Sequence, residues 1–353
     1  MNKREIEALL KNWDIGKLVS HRQARKGVVN INWILKTTKG RYVLRKVAQF
    51  VASSGLKFEL DYLTYLRENG FPYRIPAPIR TRNGGFLLRF KGCRFWIYEY
   101  IDGRDVKRFG YSELRECARM MAVYHKMIES SGLDNKKGSG GAFKRQSILK
   151  ELERFRTQIL NKNRQDRKDR IFLRESSILI PLIRRLDGRE YSKLSVYPLH
   201  RDINPENILW KKRKLVGLID FENVGAMNDT VVKDISVMLQ YSCRDRKQKR
   251  KLDLKLAAFF LREYEKYHQL SNMEIELIPD IITAGSIEDF GYAYWMLVND
   301  PERAKLYRLK LYSQTAQWYH KNKAEIIKKL TNRNSSSVPG SGSSEVAWGK
   351  AQI

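Results

Sequence analysis

The sequence is poor in cysteine, proline, histidine and long apolar runs, with 3 Cys, 9 Pro and 5 His in 353 residues. Cys93, Cys117 and Cys243 are far apart and odd in number. That argues against a disulfide or zinc framework and for a reducing compartment. The densest apolar run, Ser177 to Ile183, is broken by Pro181 and is far shorter than the ~20 residues of a spanning helix. The start, "MNKREIEALLKNW", is charged and reads as a short amphipathic helix rather than a signal peptide, so a cytoplasmic location is expected. Acidic residues are also scarce: 39 Asp and Glu face 68 Lys and Arg, a net charge of +29. Such a balance suits nucleic acid, an anionic surface, anionic small ligands or a merely solvated face.

The charge excess peaks locally. Lys136 to Arg170 holds 12 Lys and Arg against 4 Asp and Glu. Within it, "LKELERFRTQIL" has helical spacing, with Leu149, Leu152, Phe155, Ile159 and Leu160 on one face. Its one aromatic, Phe155, belongs to the apolar face, and a basic face without aromatics disfavours a nucleic-acid partner.

What is present is a globular composition, 42% hydrophobic and 11% aromatic, long enough for two lobes. The first 100 or so residues read as three strands, a helix and two strands. "VVNINWILKT" and "RYVLRKV" flank a Gly-containing turn. "LKFELDYLTYLRENG" has helical spacing and stops at Gly70. "FLLRF" and "RFWIYEYI" form a second hairpin. After Gly103 helices dominate, with short strands around the motifs below. The Ser/Gly-rich stretch 331–353 reads as a disordered tail.

Two motifs carry chemistry. "LHRDINPENILW" places Asp202 after His200 and Arg201, and Asn207 five positions after Asp202. "GLIDFEN" ends an apolar run on Asp220. Phosphoryl transfer needs a base at the acceptor hydroxyl, oxygen ligands for a metal and a cation on the phosphates. Asp202 supplies the base, and Asn207 and Asp220 the metal ligands. The apolar "NILW" and "VGLI" segments fit two short strands that hold the ligands side by side. Taken singly, Asp202 reads as a turn-former and Asn207 as a helix cap. Neither explains the ordered set.

The set His200-Arg201-Asp202, Asn207, Ile219-Asp220-Phe221 resembles the aminoglycoside phosphotransferase and homoserine kinase superfamily, small-molecule relatives of protein kinases. The resemblance implies an α+β, protein-kinase-like bilobal fold. It implies a nucleotide-binding lobe at 1–98, a hinge at 99–103 and a helical lobe with the acceptor site at 104–330. ATP and Mg2+ follow as cofactors. Arg45 in "GRYVLRKV" stands where the family has its phosphate-binding cation, with Lys46 beside it, and Glu59 is its helix partner. Gly27 and Asn30 lie in the phosphate loop, where backbone amides bind. Backbone groups at Glu99, Tyr100 and Ile101 meet the adenine. His125 matches a packing or hydrogen-bonding position.

"HRD" is also a protein-kinase spelling. Asp220 and Asp234 are only 14 positions apart, and "VVKDIS" already reads as the next helix. A long activation loop has no room, and Glu222 replaces the glycine of "DFG". Glu99 to Asp202 spans 103 positions, far more than a protein kinase uses. A helical insertion at about 135–195 fills that span and is expected to wall the acceptor pocket. The reading is therefore an ATP-dependent phosphotransferase for a hydroxyl of a small metabolite: a sugar, an amino sugar or a hydroxy amino acid such as homoserine. The alternatives are a degenerate kinase-like protein that binds nucleotide or a partner, an atypical protein kinase, and a nucleic-acid binder on this fold. The basic residues Lys144, Arg145, Arg154 and Arg156 are expected to meet an anionic acceptor. Glu288 and Asp289 read as an exposed helix start, or else as an amine site.

Overall fold

The computed structural model describes residues 1–24, 30–134 and 145–332. Gly27, Lys144 and 333–353 of the expected tail lie outside them. An antiparallel five-stranded sheet and two helices form the N-terminal part. The strands are β1 (Leu18–Gln23), β2 (Ile31–Thr37), β3 (Gly40–Val47), β4 (Leu88–Phe90) and β5 (Cys93–Glu99), in the order β1-β2-β3-β5-β4. Helix α1 (Lys3–Leu10) precedes the sheet, and α2 (Ser53–Glu68) lies between β3 and β4. Helix α2 stops as expected, with Gly70 at φ +76° just beyond it, a conformation only glycine adopts freely.

Strand alternation divides the sheet's two faces. Leu44, Trp33, Leu35, Phe95 and Ile97 pack against Ile6, Leu9 and Leu10 of α1. Val43, Val47, Trp96 and Tyr98 face Leu56, Leu60 and Leu63 of α2. Arg45 pairs across the ladder with Trp96 and Asn32, so it shares the α2 face. Lys46 pairs with Ile31 and Phe95 and points the other way.

The C-terminal part is helical. Helices α3 (Tyr111–Glu129), α6 (Val231–Ser242), α7 (Leu254–Glu265), α8 (Asn272–Asn299), α9 (Tyr307–Lys321) and α10 (Lys323–Thr331) build it around the ribbon β6 (Ile208–Lys211) and β7 (Lys214–Leu218). Helix α10 ends at Thr331, the first residue of the expected tail. The insertion forms α4 (Arg145–Leu160) and α5 (Arg167–Arg185). Its apolar face, including Leu152, Phe155 and Phe172, packs on Phe290 and Tyr294 of α8 and on α9, not on the sheet. All three cysteines are free, and among the described residues no helix is long and apolar enough to cross a membrane.

Candidate active site

The site is built where β6 and β7 begin and end. The Ile219 N–H donates to Asn207 O at 2.9 Å, and Ile208 pairs with Leu218. This places Asn207 beside the residue preceding Asp220. The Asn207 Nδ2 group donates to Asp202 O at 2.9 Å and to Asp202 Oδ2 at 3.1 Å, which leaves its Oδ1 available to a cation. Asn204 Nδ2 donates to Asp202 Oδ1 at 2.7 Å. Both carboxylate oxygens of Asp202 are thereby oriented. Burial raises the Asp202 pKa and Asp220 adds to the rise, while His200, Asn204 and Asn207 oppose it.

The loop's backbone is unusual at two points. Arg201 (φ +64°) and Asp220 (φ +73°) are non-glycine residues in the left-handed region. Such conformations cost on the order of 1–3 kcal/mol and persist only when their surroundings impose them. The imposing contacts are visible at Arg201. Its N–H donates to Asp234 Oδ1 at 2.6 Å, and its Nε donates to Asp229 Oδ2 at 3.1 Å. Asp229 and Asp234 are both fully buried. His125 bonds Tyr264 OH at 2.7 Å and Asp234 Oδ2 at 3.3 Å, which is the structural role expected of it. Phe221 is buried against the rings of Tyr62, Tyr124 and His200.

Arg45 is 5% exposed and Glu59 of α2 is 5% exposed, with Arg45 NH1 3.5 Å from Glu59 Oε1. Asn32 Oδ1 accepts from Arg45 Nε at 3.2 Å, and the guanidinium lies 5.2 Å from the Trp96 ring centroid. Burial opposes the Arg45 charge, but Tyr98, Glu59, Asp220 and Glu222 around it raise its pKa. Burial pushes the Glu59 carboxyl up to about 7, against the pull of Arg45. Burial and then Asp220 push Glu222 up to about 7 as well. Arg45, Glu59, Asn30 and Glu222 line one cavity of about 270 Å³.

The other expected positions are engaged in contacts of their own. Asn30 works through its side chain: Oδ1 accepts from Ala48 N–H at 3.1 Å and Nδ2 donates to Glu222 Oε2 at 2.8 Å. The Glu99 side chain is exposed and bonds Arg74 at 2.5 Å. The Tyr100 N–H is taken by Arg41 O at 2.9 Å, so that amide is not offered to a base. Ile101 is buried and packs over Gly217, where a Cβ would meet Arg74 O at 2.6 Å. Glu288 and Asp289 lie in the middle of α8, not at its start. Tyr241 OH donates to Asp289 Oδ2 at 2.8 Å, and burial pushes Asp289 up to about 6.

The insertion's bases are largely committed elsewhere. Arg145 donates to Leu186 O at 3.1 Å, and Arg156 to Leu173 O at 2.9 Å and Ser176 Oγ at 2.8 Å. Arg154 lies over the Phe155 ring and near Glu151. The expectation that these bases face an acceptor is not supported by their contacts. Sequence reading also gave no role to Asp229, Asp234, Asn204 or Glu222. For Asn204 a signal was present, an amide two positions after the base.

The donor chemistry fits a magnesium-nucleotide. One carboxylate and one amide oxygen suit a hard cation that completes its shell with phosphate oxygens and water. Among the described residues no cluster of three or more His, Cys, Asp and Glu side chains forms a metal cage by itself.

Residues 20–271 match the Phosphotransferase enzyme family, and the chain belongs to it. It is a kinase with a hydroxyl acceptor. It is 26% identical over 288 residues to the homoserine kinase of Caulobacter vibrioides, covering 81% of this chain and 85% of that one. The homoserine kinase of Rhizobium meliloti is 25% identical over 286 residues, covering 81% and 82%. Among solved structures, spectinomycin phosphotransferase in complex with ADP and spectinomycin superposes with a TM-score of 0.66 at 12% identity, covering 95% of this chain and 99% of that one. The microcompartment-associated aminopropanol kinase gives 0.63 at 14%, covering 94% and 100%. These structures share the bilobal kinase-like fold.

Proposed function

We propose that this kinase uses ATP with magnesium to phosphorylate the hydroxyl of a small hydroxy amino acid, with homoserine as the first candidate. One observation carries the reading. The Asp202 carboxylate is clasped by Asn204 and Asn207, and Asn207 is tied through the Ile219 N–H to the residue between β7 and Asp220. Base and metal ligands are thus one rigid unit. The named homoserine kinases, which match more than four-fifths of the chain, support the acceptor class.

The roles follow from chemistry. Asp202 orients the acceptor hydroxyl and takes its proton as the oxygen bonds to the γ-phosphorus and ADP departs. Asn207 Oδ1 and Asp220 hold the magnesium, which neutralises phosphate charge. Arg45, fixed by Asn32 and Glu59, presents its remaining N–H groups to the phosphates. Asn30 lies on the phosphate side. Backbone at Glu99 and Ile101 receives the adenine, without the committed Tyr100 amide. The cytoplasm, where nucleotide and metabolite meet, is the matching compartment. The boundaries 1–98, 99–103 and 104–330 fit this division of labour.

The test is ADP formation from ATP and magnesium across a panel of hydroxy amino acids, sugars and amino alcohols. Turnover with homoserine above the rest is expected. Nucleotide binding without turnover on any acceptor would make the protein a degenerate relative.

A further inference from the structure

A second cavity of about 350 Å³ opens beside the catalytic loop. Pro205, Phe109 and Leu256 contribute to its lining, together with the basic side chains Lys107, Arg108, Arg244, Arg246 and Lys249. The volume falls in the range of small-molecule pockets, about 300–1,000 Å³. One carboxylate, Asp245, shares the lining, but it caps its own turn by accepting from Lys247 N–H at 2.9 Å and Gln248 N–H at 2.6 Å. Among the described residues no ion pair neutralises Arg108, Arg244, Arg246 or Lys249.

Arg244 is pre-positioned for a ligand. Its Nε donates to Gln240 O at 2.6 Å, and its guanidinium lies 4.6 Å from the Tyr241 ring centroid. The terminal NH2 groups are the donors left over, in the planar fork that matches a carboxylate or phosphate. Pro205 follows Asp202 by three residues, so their Cα atoms are at most about 11 Å apart. The pocket wall at Pro205 and the base therefore stand on one short stretch of chain.

We propose that this pocket binds an oxyanion carried by the acceptor, the carboxylate of a hydroxy acid or the phosphate of a sugar phosphate, while the acceptor hydroxyl reaches Asp202. The inference rests on the kinase reading for the acceptor's identity, but the anion site itself does not need turnover. It moves acceptor recognition from the insertion to the turn that follows α6. It also gives part of the large positive charge a specific use.

The probe is inorganic phosphate, titrated by calorimetry into the full chain with the nucleotide cleft filled by a non-hydrolysable ATP analogue. The comparison is the double variant Arg246→Gln/Lys249→Gln, whose two side chains are exposed. Phosphate should bind the double variant about tenfold or more weakly, the scale of two lost charge contacts. Homoserine, but not its amide, should displace the phosphate if the anion is a carboxylate. A sugar phosphate, but not the free sugar, should do so if it is a phosphate. Equal phosphate affinity in wild type and variant overturns the site. Phosphate binding that neither class of acceptor displaces overturns its link to the acceptor. Displacement without any turnover leaves this site standing and defeats the kinase reading instead.

Discussion

His200 Nε2 lies 2.8 Å from the carbonyl oxygen of Ile219, the residue before Asp220. Its Nδ1 accepts from the Asp202 N–H at 3.3 Å. One buried imidazole thus joins the loop carrying Asp202 to the stretch after β7 that carries Asp220. His200→Ala should cost about 2–4 kcal/mol, from a cavity plus orphaned backbone groups. Turnover should fall further than that stability loss explains. Denaturant titration beside steady-state kinetics checks it, and a destabilised variant with normal kcat would show the tie to be purely structural.

Asp202→Ala should lower kcat by about 10²–10⁴-fold, the range of general-base contributions, with nucleotide affinity nearly unchanged. The raised pKa of Asp202 sets a direction for wild type. The base must be ionised, so the acidic limb of the kcat/KM profile should lie above the ordinary aspartate value. A profile flat down to that value removes Asp202 as the titrating base.

Asp220→Asn removes a metal-ligand charge while keeping the shape. Nucleotide affinity should weaken in the presence of magnesium and change little without it. Titrating ATP with and without the metal makes the comparison. The same magnesium dependence in both proteins contradicts the ligand role.

Arg45→Ala and Lys46→Ala should behave differently, because strand alternation puts only Arg45 on the α2 side. The first should lose nucleotide affinity by about tenfold or more and lose about 1–3 kcal/mol of stability. A loss below the usual ~3–5 kcal/mol for a broken buried pair is expected because burial already holds Glu59 near 7, so that carboxyl takes up a proton when its partner leaves. The second should lose almost nothing. Two equally mild variants would mean that neither cation meets phosphate.

His268 gives a pH dependence of stability. Burial works against its charge, yet the Glu129 carboxylate 2.8 Å away raises its pKa above the free value. The folded state then binds a proton that the unfolded chain has released. The stabilisation is complete below the unfolded value of about 6.5 and is lost as pH rises through the higher folded value. Glu129→Gln should flatten that loss. Denaturation midpoints of both proteins between about pH 6 and 9 test it, and parallel curves would count against the pairing.

The juxtaposition of Asp202, Asn207 and Asp220 was legible because Asn207 follows Asp202 by five positions, and Asn207 and Asp220 flank two short strands joined by a tight turn. The outward or inward choice at Arg45 and Lys46 became decidable only with the register, since residue 45 must face Trp96. Asp229 and Asp234 left no local trace. They hold the loop's backbone from α6 and its approach, and such long-range bonds have no spacing rule. The insertion's charge was counted correctly, but composition does not say which bases bind carbonyls. Arg156 closes on Leu173 O and Ser176 within the α4–α5 pair, and that pairing is a tertiary fact.

Between Asp220 and α6 lie only ten residues, and Thr230 is the single hydroxyl among them, 1% exposed. A modifying enzyme finds nothing there to write on. The on–off switch that a long, exposed segment provides at this position in signalling kinases has no counterpart among the described residues between Asp220 and α6. Here the loop that carries Asp202 is held instead by the bonds from Arg201 to the buried Asp229 and Asp234.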